Sequence, residues 1–225
     1  MDYGEQIIPP EVTWTGHTFS GWSSTVPETV PAHDMSFEAL WDVNRYNVTF
    51  NANGGEGGWS DQLPYGTVIE QPTVTRTGYT FLEWIPEVDD TVPANDVTYT
   101  AQWEINQYTV TFNANGGVGG TSSSQNYGTA IVAPTVTRTG YTFTGWSPSV
   151  AATVPANDVI YTAQWQINQY TATFNANGGT GGTTKTQDYD TELTAPIVTR
   201  NGYTFNGWNP SVPSTMPVNG GTYTA

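Results

Sequence analysis

Apolar and polar residues alternate along this chain in short runs. In Tyr-Thr-Val-Thr-Phe-Asn at 108–113, Tyr108, Val110 and Phe112 share one face, while Thr109, Thr111 and Asn113 share the other. That period of two predicts a half-buried strand. The run 159–167 alternates in the same way, with Val159, Tyr161, Ala163, Trp165 and Ile167 on one side and Thr162, Gln164 and Gln166 on the other. Between these two runs lie Tyr-Gly-Thr-Ala-Ile-Val-Ala-Pro (127–134) and Thr-Arg-Thr-Gly-Tyr-Thr-Phe-Thr-Gly-Trp (137–146), each bounded by Gly or Pro and read as further strands. No stretch of about 12 residues carries helical apolar spacing. The pattern predicts a mainly β protein with little or no helix.

The pattern recurs every 62 residues. Tyr46, Tyr108 and Tyr170 are in register, as are Pro72, Pro134 and Pro196, and Trp84, Trp146 and Trp208. Residues 46–107 and 108–169 are identical at 44 of 62 positions without insertion or deletion, so they are copies of one unit. The N-terminal stretch follows the same frame, with Tyr3, Gly16, Phe19, Trp22 and Trp41 standing 62 residues before Tyr65, Gly78, Phe81, Trp84 and Trp103. The expected organisation is a partial repeat at 1–45 lacking an entry strand, full repeats at 46–107 and 108–169, and a repeat at 170–225 with a shortened exit strand. Both ends then read as cuts through a unit of a longer array. The link Gln-Trp-Gln-Ile-Asn-Gln-Tyr at 164–170 contains no Gly or Pro, which predicts a stiff, extended array.

The repeats beginning at 46, 108 and 170 each carry Phe-Asn-Ala-Asn-Gly-Gly near their start, at 50–55, 112–117 and 174–179. Such a loop is either an anion-binding nest of backbone N–H groups or a turn. No Gly-Lys-Ser/Thr follows it and no helix is placed to receive a phosphate, so the expectation is a tight turn in which Asn-Gly supplies positive φ.

Composition narrows the function. Thr, Val and aromatic residues dominate over charge, as in β proteins. The absence of cysteine removes disulfides, thiolate metal sites and a Cys nucleophile. The net charge of −15, with only Lys185 and four arginines, argues against nucleic acid and anionic lipid. No apolar run reaches the ~20 residues of a membrane span, and the N-terminus lacks the pattern of a signal peptide. The acidity is uneven: one base against seven acids at 1–45, one against nine at 46–107, one against one at 108–169, two against three at 170–225. Glu87, Asp89 and Asp90 form the densest group, without calcium-loop spacing; a solvated surface is expected, and no metal or cofactor.

Candidate residues are weighed against the repeat. Arg76, Arg138 and Arg200 recur with it and are expected to pack on an aromatic or pair with a carboxylate inside their unit. The periodic tryptophans are expected to be buried. Trp14 and Trp59 have no aromatic counterpart in the other copies and are the candidates for binding a partner. His17 and His33 are the only histidines and both lie in the partial unit, so catalysis is not expected. A single lysine excludes repeated Lys–Asn isopeptide cross-links.

The combination of Asn115-Gly116-Gly117, Tyr127-Gly128-Thr129, Pro134, Arg138, Gly140-Tyr141, Phe143, Gly145-Trp146, Tyr161, Ala163 and Trp165 resembles the Listeria–Bacteroides repeat, the internalin-type B repeat. The resemblance covers essentially the whole chain. It departs at Trp14 for the arginine, at His17 for the tyrosine, and at Leu82-Glu83 for Thr144-Gly145. It implies tandem β-grasp-like modules, each a sheet curled around an irregular segment, from an extracellular or wall-attached bacterial protein. The implied role is a non-enzymatic stalk that spaces or presents a binding domain and contributes to adhesion. Two further readings stand beside it: an adhesive module for a glycan or for a host or bacterial surface protein, and a subunit of a self-assembling fibre templated by exposed strand edges. The partners expected in every case are the neighbouring repeats of the same chain.

Overall fold

The computed structural model describes all residues, Met1–Ala225, and contains thirteen strands and no helix. The chain divides into two compact units, Met1–Asn106 and Gln107–Ala225. In the first, β1 (His17–Trp22) and β2 (Ala39–Val43) form an antiparallel pair. They are followed by a four-stranded sheet of β3 (Arg45–Asn51), β4 (Trp59–Pro64), β5 (Tyr79–Ile85) and β6 (Val97–Ile105). The second unit repeats the design with β7 (Gln107–Asn113), β8 (Thr121–Asn126), β9 (Tyr141–Ser147) and β10 (Val159–Ile167). It ends with a three-stranded sheet of β11 (Gln169–Asn175), β12 (Thr183–Asp188) and β13 (Gly221–Thr224).

Both four-stranded sheets have the same order, β4-β3-β6-β5 and β8-β7-β10-β9. The first and last strands of the repeat lie side by side and parallel at the centre, with Phe112 opposite Tyr161; the outer strands pair antiparallel to them. This arrangement brings residues nearly 50 positions apart into one core. Phe112 packs on Tyr161 at 5.1 Å between ring centroids and edge-on to Trp146 at 4.9 Å. The same three rings recur as Phe50, Tyr99 and Trp84, and as Phe174, Tyr223 and Trp208. Val92, Val154 and Met216 close the core beneath them, and no polar or charged residue is buried. Aromatic area is what lets so short a module hold a core, since each ring removes a large apolar surface from water.

One sequence expectation is corrected. Tyr-Gly-Thr-Ala-Ile-Val-Ala-Pro at 127–134 is a turn followed by irregular chain, tied to the following segment by the bridge Ala130↔Thr153 and a Gly128 N–H bond to the Val154 carbonyl, with Ile131 packed on the core. The second strand is instead the preceding Thr-Ser-Ser-Ser-Gln-Asn, β8. It is an edge strand facing solvent on almost every position, so no apolar alternation marks it; pairing with β7 is all that makes it a strand. The entry strands also begin one residue before the expected unit starts, at Arg45, Gln107 and Gln169.

Candidate functional site

The Phe-Asn-Ala-Asn-Gly-Gly loop is a turn whose polar groups are used internally. In the copy at 112–117, Asn115 and Gly116 take φ of 49° and 82°, the left-handed pair that a primed turn requires. The Gly117 N–H donates to the Ala114 carbonyl at 3.0 Å, the Asn115 N–H to its neighbour Asn113 Oδ1 at 2.8 Å, and the Val118 N–H to the Thr137 carbonyl at 2.8 Å. With those donors engaged, the loop offers no nest for an anion. Two side chains lock it from outside. Arg138 lies over the Tyr141 ring at 3.9 Å and donates from Nη1 to the Asn115 carbonyl at 3.2 Å. Trp165, on β10, donates from Nε1 to the Ala114 carbonyl at 2.9 Å. A Cβ on Gly117 would stand 2.5 Å from the Thr137 carbonyl oxygen and 2.8 Å from the Trp165 ring, so only glycine admits both neighbours. Arg76 and Arg200 repeat the arginine contacts on Tyr79 and Tyr203, and Trp103 repeats the tryptophan contact on Ala52. The arginines thus pack on aromatics, as expected, and no carboxylate is needed to hold them.

The same geometry explains Trp14. It occupies the arginine's position in the repeat, and His17 occupies the tyrosine's. Their rings stack at 3.7 Å with 7° between planes, so an aromatic pair replaces the cation–π pair. Trp14 also meets Trp41 edge-on and remains 54% exposed. Trp59 stands opposite Phe50 in the β3–β4 pairing, 4.9 Å from its ring, and is half-buried against the core of its repeat. The two tryptophans therefore lie in different settings, one an exposed stacked ring and the other a flap on a core. The periodic tryptophans are buried or half-buried, Trp84 most deeply.

The residues that sequence reasoning passed over are those joining one repeat to the next. A single residue, Asn168, separates β10 from β11, and nearly all of its polar groups are engaged. Its N–H donates to the Gly140 carbonyl at 2.9 Å and its own carbonyl accepts the Tyr189 N–H at 2.8 Å. Its side-chain oxygen accepts the Thr142 hydroxyl at 2.6 Å, and its amide reaches the Tyr170 hydroxyl at 3.4 Å. Tyr189 seats its ring on Gly140, where any Cβ would collide with it, and lies edge-on to Tyr141 and Tyr170 at 6.3 Å. In the first unit Asn44 makes the matching bonds to Gly16, Tyr65, Thr18 and Tyr46, and the Tyr65 ring covers Gly16. The signal was present in the sequence: Asn44, Asn106 and Asn168 are 62 apart, and each precedes an entry-strand tyrosine by two.

The acidic group of 46–107 has a structural use in part. Asp89 Oδ2 accepts the hydroxyl of the fully buried Tyr99 at 2.8 Å. Burial, followed by that bond, raises the Tyr99 pKa above its ordinary 10.0. No three His, Asp or Glu side chains converge as metal ligands would, and no helix is long and apolar enough to cross a membrane.

Residues 46–104, 108–163 and 170–224 match the Listeria-Bacteroides repeat domain. The chain is 32% identical over 237 residues to a putative Gly-rich membrane protein of Evansella cellulosilytica, with 86% of this chain and 27% of that protein covered. It is also 34% identical over 146 residues to Internalin H of Listeria monocytogenes, covering 60% of this chain and 26% of the relative. The chain thus spans less than a third of the length of these relatives. No solved structure matches it. The chain belongs to the Listeria-Bacteroides repeat family.

Proposed function

We propose that, as a member of the Listeria-Bacteroides repeat family, this segment is an extracellular spacer of a bacterial surface protein. Its β-grasp-like modules hold a binding domain at a distance, and it has no catalytic role. The observation that carries the reading is the junction: one asparagine between sheets, bonded to the repeats on both sides, with the tyrosine of the following repeat seated on a glycine of the preceding one. A flexible tether would need none of these contacts, whereas a strut needs them at every joint. The relatives named as a membrane protein and an internalin fit a surface location.

The absence of cysteine makes the test direct. Spin labels on S123C and T184C, on the exposed strands of the two repeats of 107–225, should give one narrow distance distribution. Asn168→Gly combined with Tyr189→Ala should broaden it. A broad distribution in the parent chain would refute the spacer.

A second reading, adhesion to a glycan or surface protein, is favoured by one observation, the exposed stacked ring of Trp14. Binding to a glycan array that disappears in Trp14→Ala but survives Trp59→Phe would support it, and an array on which the parent chain binds nothing would end it.

A further inference from the structure

In each of the three larger sheets the strand beyond the entry strand is an edge: β4 beside β3, β8 beside β7 and β12 beside β11. An open edge presents N–H and C=O groups that can pair with another chain, and proteins guard such edges with charge or proline. Two of these three edges are guarded at the same place. In β4, Asp61 stands opposite the buried Val48, and the strand ends in Pro64. In β12, Lys185 stands opposite the buried Ala172 and donates from Nζ to the Thr194 carbonyl at 2.6 Å. The same place in β8 holds Ser123, opposite the buried Val110. No charge and no proline occurs anywhere in Thr121–Asn126, and every residue but Gln125 is exposed.

A second observation says what can approach this edge. The chain as a whole is strongly acidic, and two acidic copies repel each other. Repeat 108–169 is the exception: Arg138 and Asp158 are its only charged residues, whereas 46–107 sets one base against nine acids. The unguarded edge therefore lies in the repeat that another copy can meet without net repulsion.

We infer that β8 is a self-association edge, through which two copies of this chain pair antiparallel about a two-fold axis at Ser123. An axis perpendicular to the sheet keeps both cores on one side, so residues that meet must lie on the same face of the strand. Ser123 then meets the partner's Ser123, Ser122 the partner's Ser124, and Thr121 the partner's Gln125. The two four-stranded sheets become one sheet of eight. Main-chain hydrogen bonds supply the attraction, and small hydroxyl side chains face one another across the joint. The same pairing through β4 would set Asp61 against Asp61, and through β12 Lys185 against Lys185, which like charges oppose. The contact uses one patch on both copies, so it closes at the dimer. One strand pair buries less than the ~1,200 Å² of a stable interface, so the association is weak. The inference is independent of the spacer reading, which rests on the junctions.

The test is analytical ultracentrifugation of the whole 225-residue chain from micromolar to millimolar concentration. A monomer–dimer equilibrium with no larger species is expected. Ser123→Lys and Ser123→Asp each give β8 the residue that another repeat carries at that place, and each should weaken the dimer about tenfold, since two like charges are brought to within about 5 Å. Ser123 is exposed and both replacements are native to the position in a sister repeat, so the variants keep their fold, which circular dichroism verifies. Thr184→Lys adds the same charge to the guarded edge β12 and leaves the dimer unchanged. A parent chain that stays monomeric at millimolar concentration overturns the inference and leaves the edge to an extended segment of some other protein. So does a dimer indifferent to both Ser123 variants, a dimer weakened equally by Thr184→Lys, or growth past the dimer.

Discussion

Repeats 108–169 and 170–225 share their entry strand, turn, arginine clasp and three-ring core, yet one holds a four-stranded sheet and the other a three-stranded one. The difference is confined to the far half of the exit strand. Tyr141–Ser147, paired with Thr162–Ile167, is a strand; 203–208, of almost the same sequence but without that pairing among the described residues, is irregular. The outer strand is therefore made by its neighbour rather than by its own propensity. The core of Phe174, Leu193, Met216 and Tyr223 remains buried and Trp208 still meets Phe174 edge-on, so the third ring of the core is seated whether or not its segment forms a strand.

Trp165→Ala is the largest way to break this contrast. It removes a ring that packs on Phe143 and a hydrogen bond to the turn, and should destabilise the repeat by about 3 kcal/mol. Hydrogen exchange read by mass spectrometry should show amides 141–147 losing protection until they match 203–208. If they remain protected, β9 does not depend on Trp165. Next in size are the turn glycines. Gly117→Ala and Gly179→Ala each drive a Cβ against a threonine carbonyl, at 2.5 and 2.4 Å respectively. Each should cost about 2 kcal/mol, by overpacking and left-over strain. Gly179 lacks a tryptophan beside it, so equal losses in denaturant melts would assign the requirement to the backbone contact, and a loss only at Gly117 would assign it to Trp165. Arg138→Ala should cost less, about 1 kcal/mol, for one cation–π contact and one exposed hydrogen bond.

What was legible in the sequence was whatever alternates or recurs. The entry and exit strands showed themselves through Val110, Phe112, Tyr161 and Ala163, and the 62-residue period followed from repeated aromatics and glycines. β8 was not legible, because Ser122, Ser123 and Ser124 bury nothing and owe their conformation to hydrogen bonds with a strand across the turn. Trp14 was marked by its departure from the repeat, but its stacking on His17 needed the observation that two substitutions fall on one contacting pair. The junction asparagines recur as faithfully as the tryptophans. They escaped notice because a recurring polar residue in a link reads as solvated until its partners, Gly140 and Tyr189, are seen to converge on it.

The smallest effects separate 46–107 from 108–169, two sheets of one topology that differ in acidity. Asp96 accepts the side-chain amide of Asn47 at 2.9 Å and its backbone N–H at 2.8 Å, and these bonds hold its pKa below the usual 3.8. A carboxylate depressed on folding stabilises the fold at pH above its unfolded value, and that contribution is lost as pH falls through the folded one. Tyr99 carries the opposite sign. Its pKa is raised on folding, so its contribution is intact below pH 10.0 and lost as pH rises through the higher folded value. Tyr99→Phe should therefore flatten the alkaline limb of the stability curve of this repeat, and Asn47→Ala its acid limb, with Asp96 returning toward an ordinary carboxylate in an NMR titration. In 108–169 an alanine amide, that of Ala151, meets the Tyr161 hydroxyl where Asp89 meets Tyr99. Asp89→Ala should bring the Tyr99 titration part of the way back toward its ordinary value, because the carboxylate adds to burial in raising it; if Tyr99 is unmoved, burial alone sets the shift.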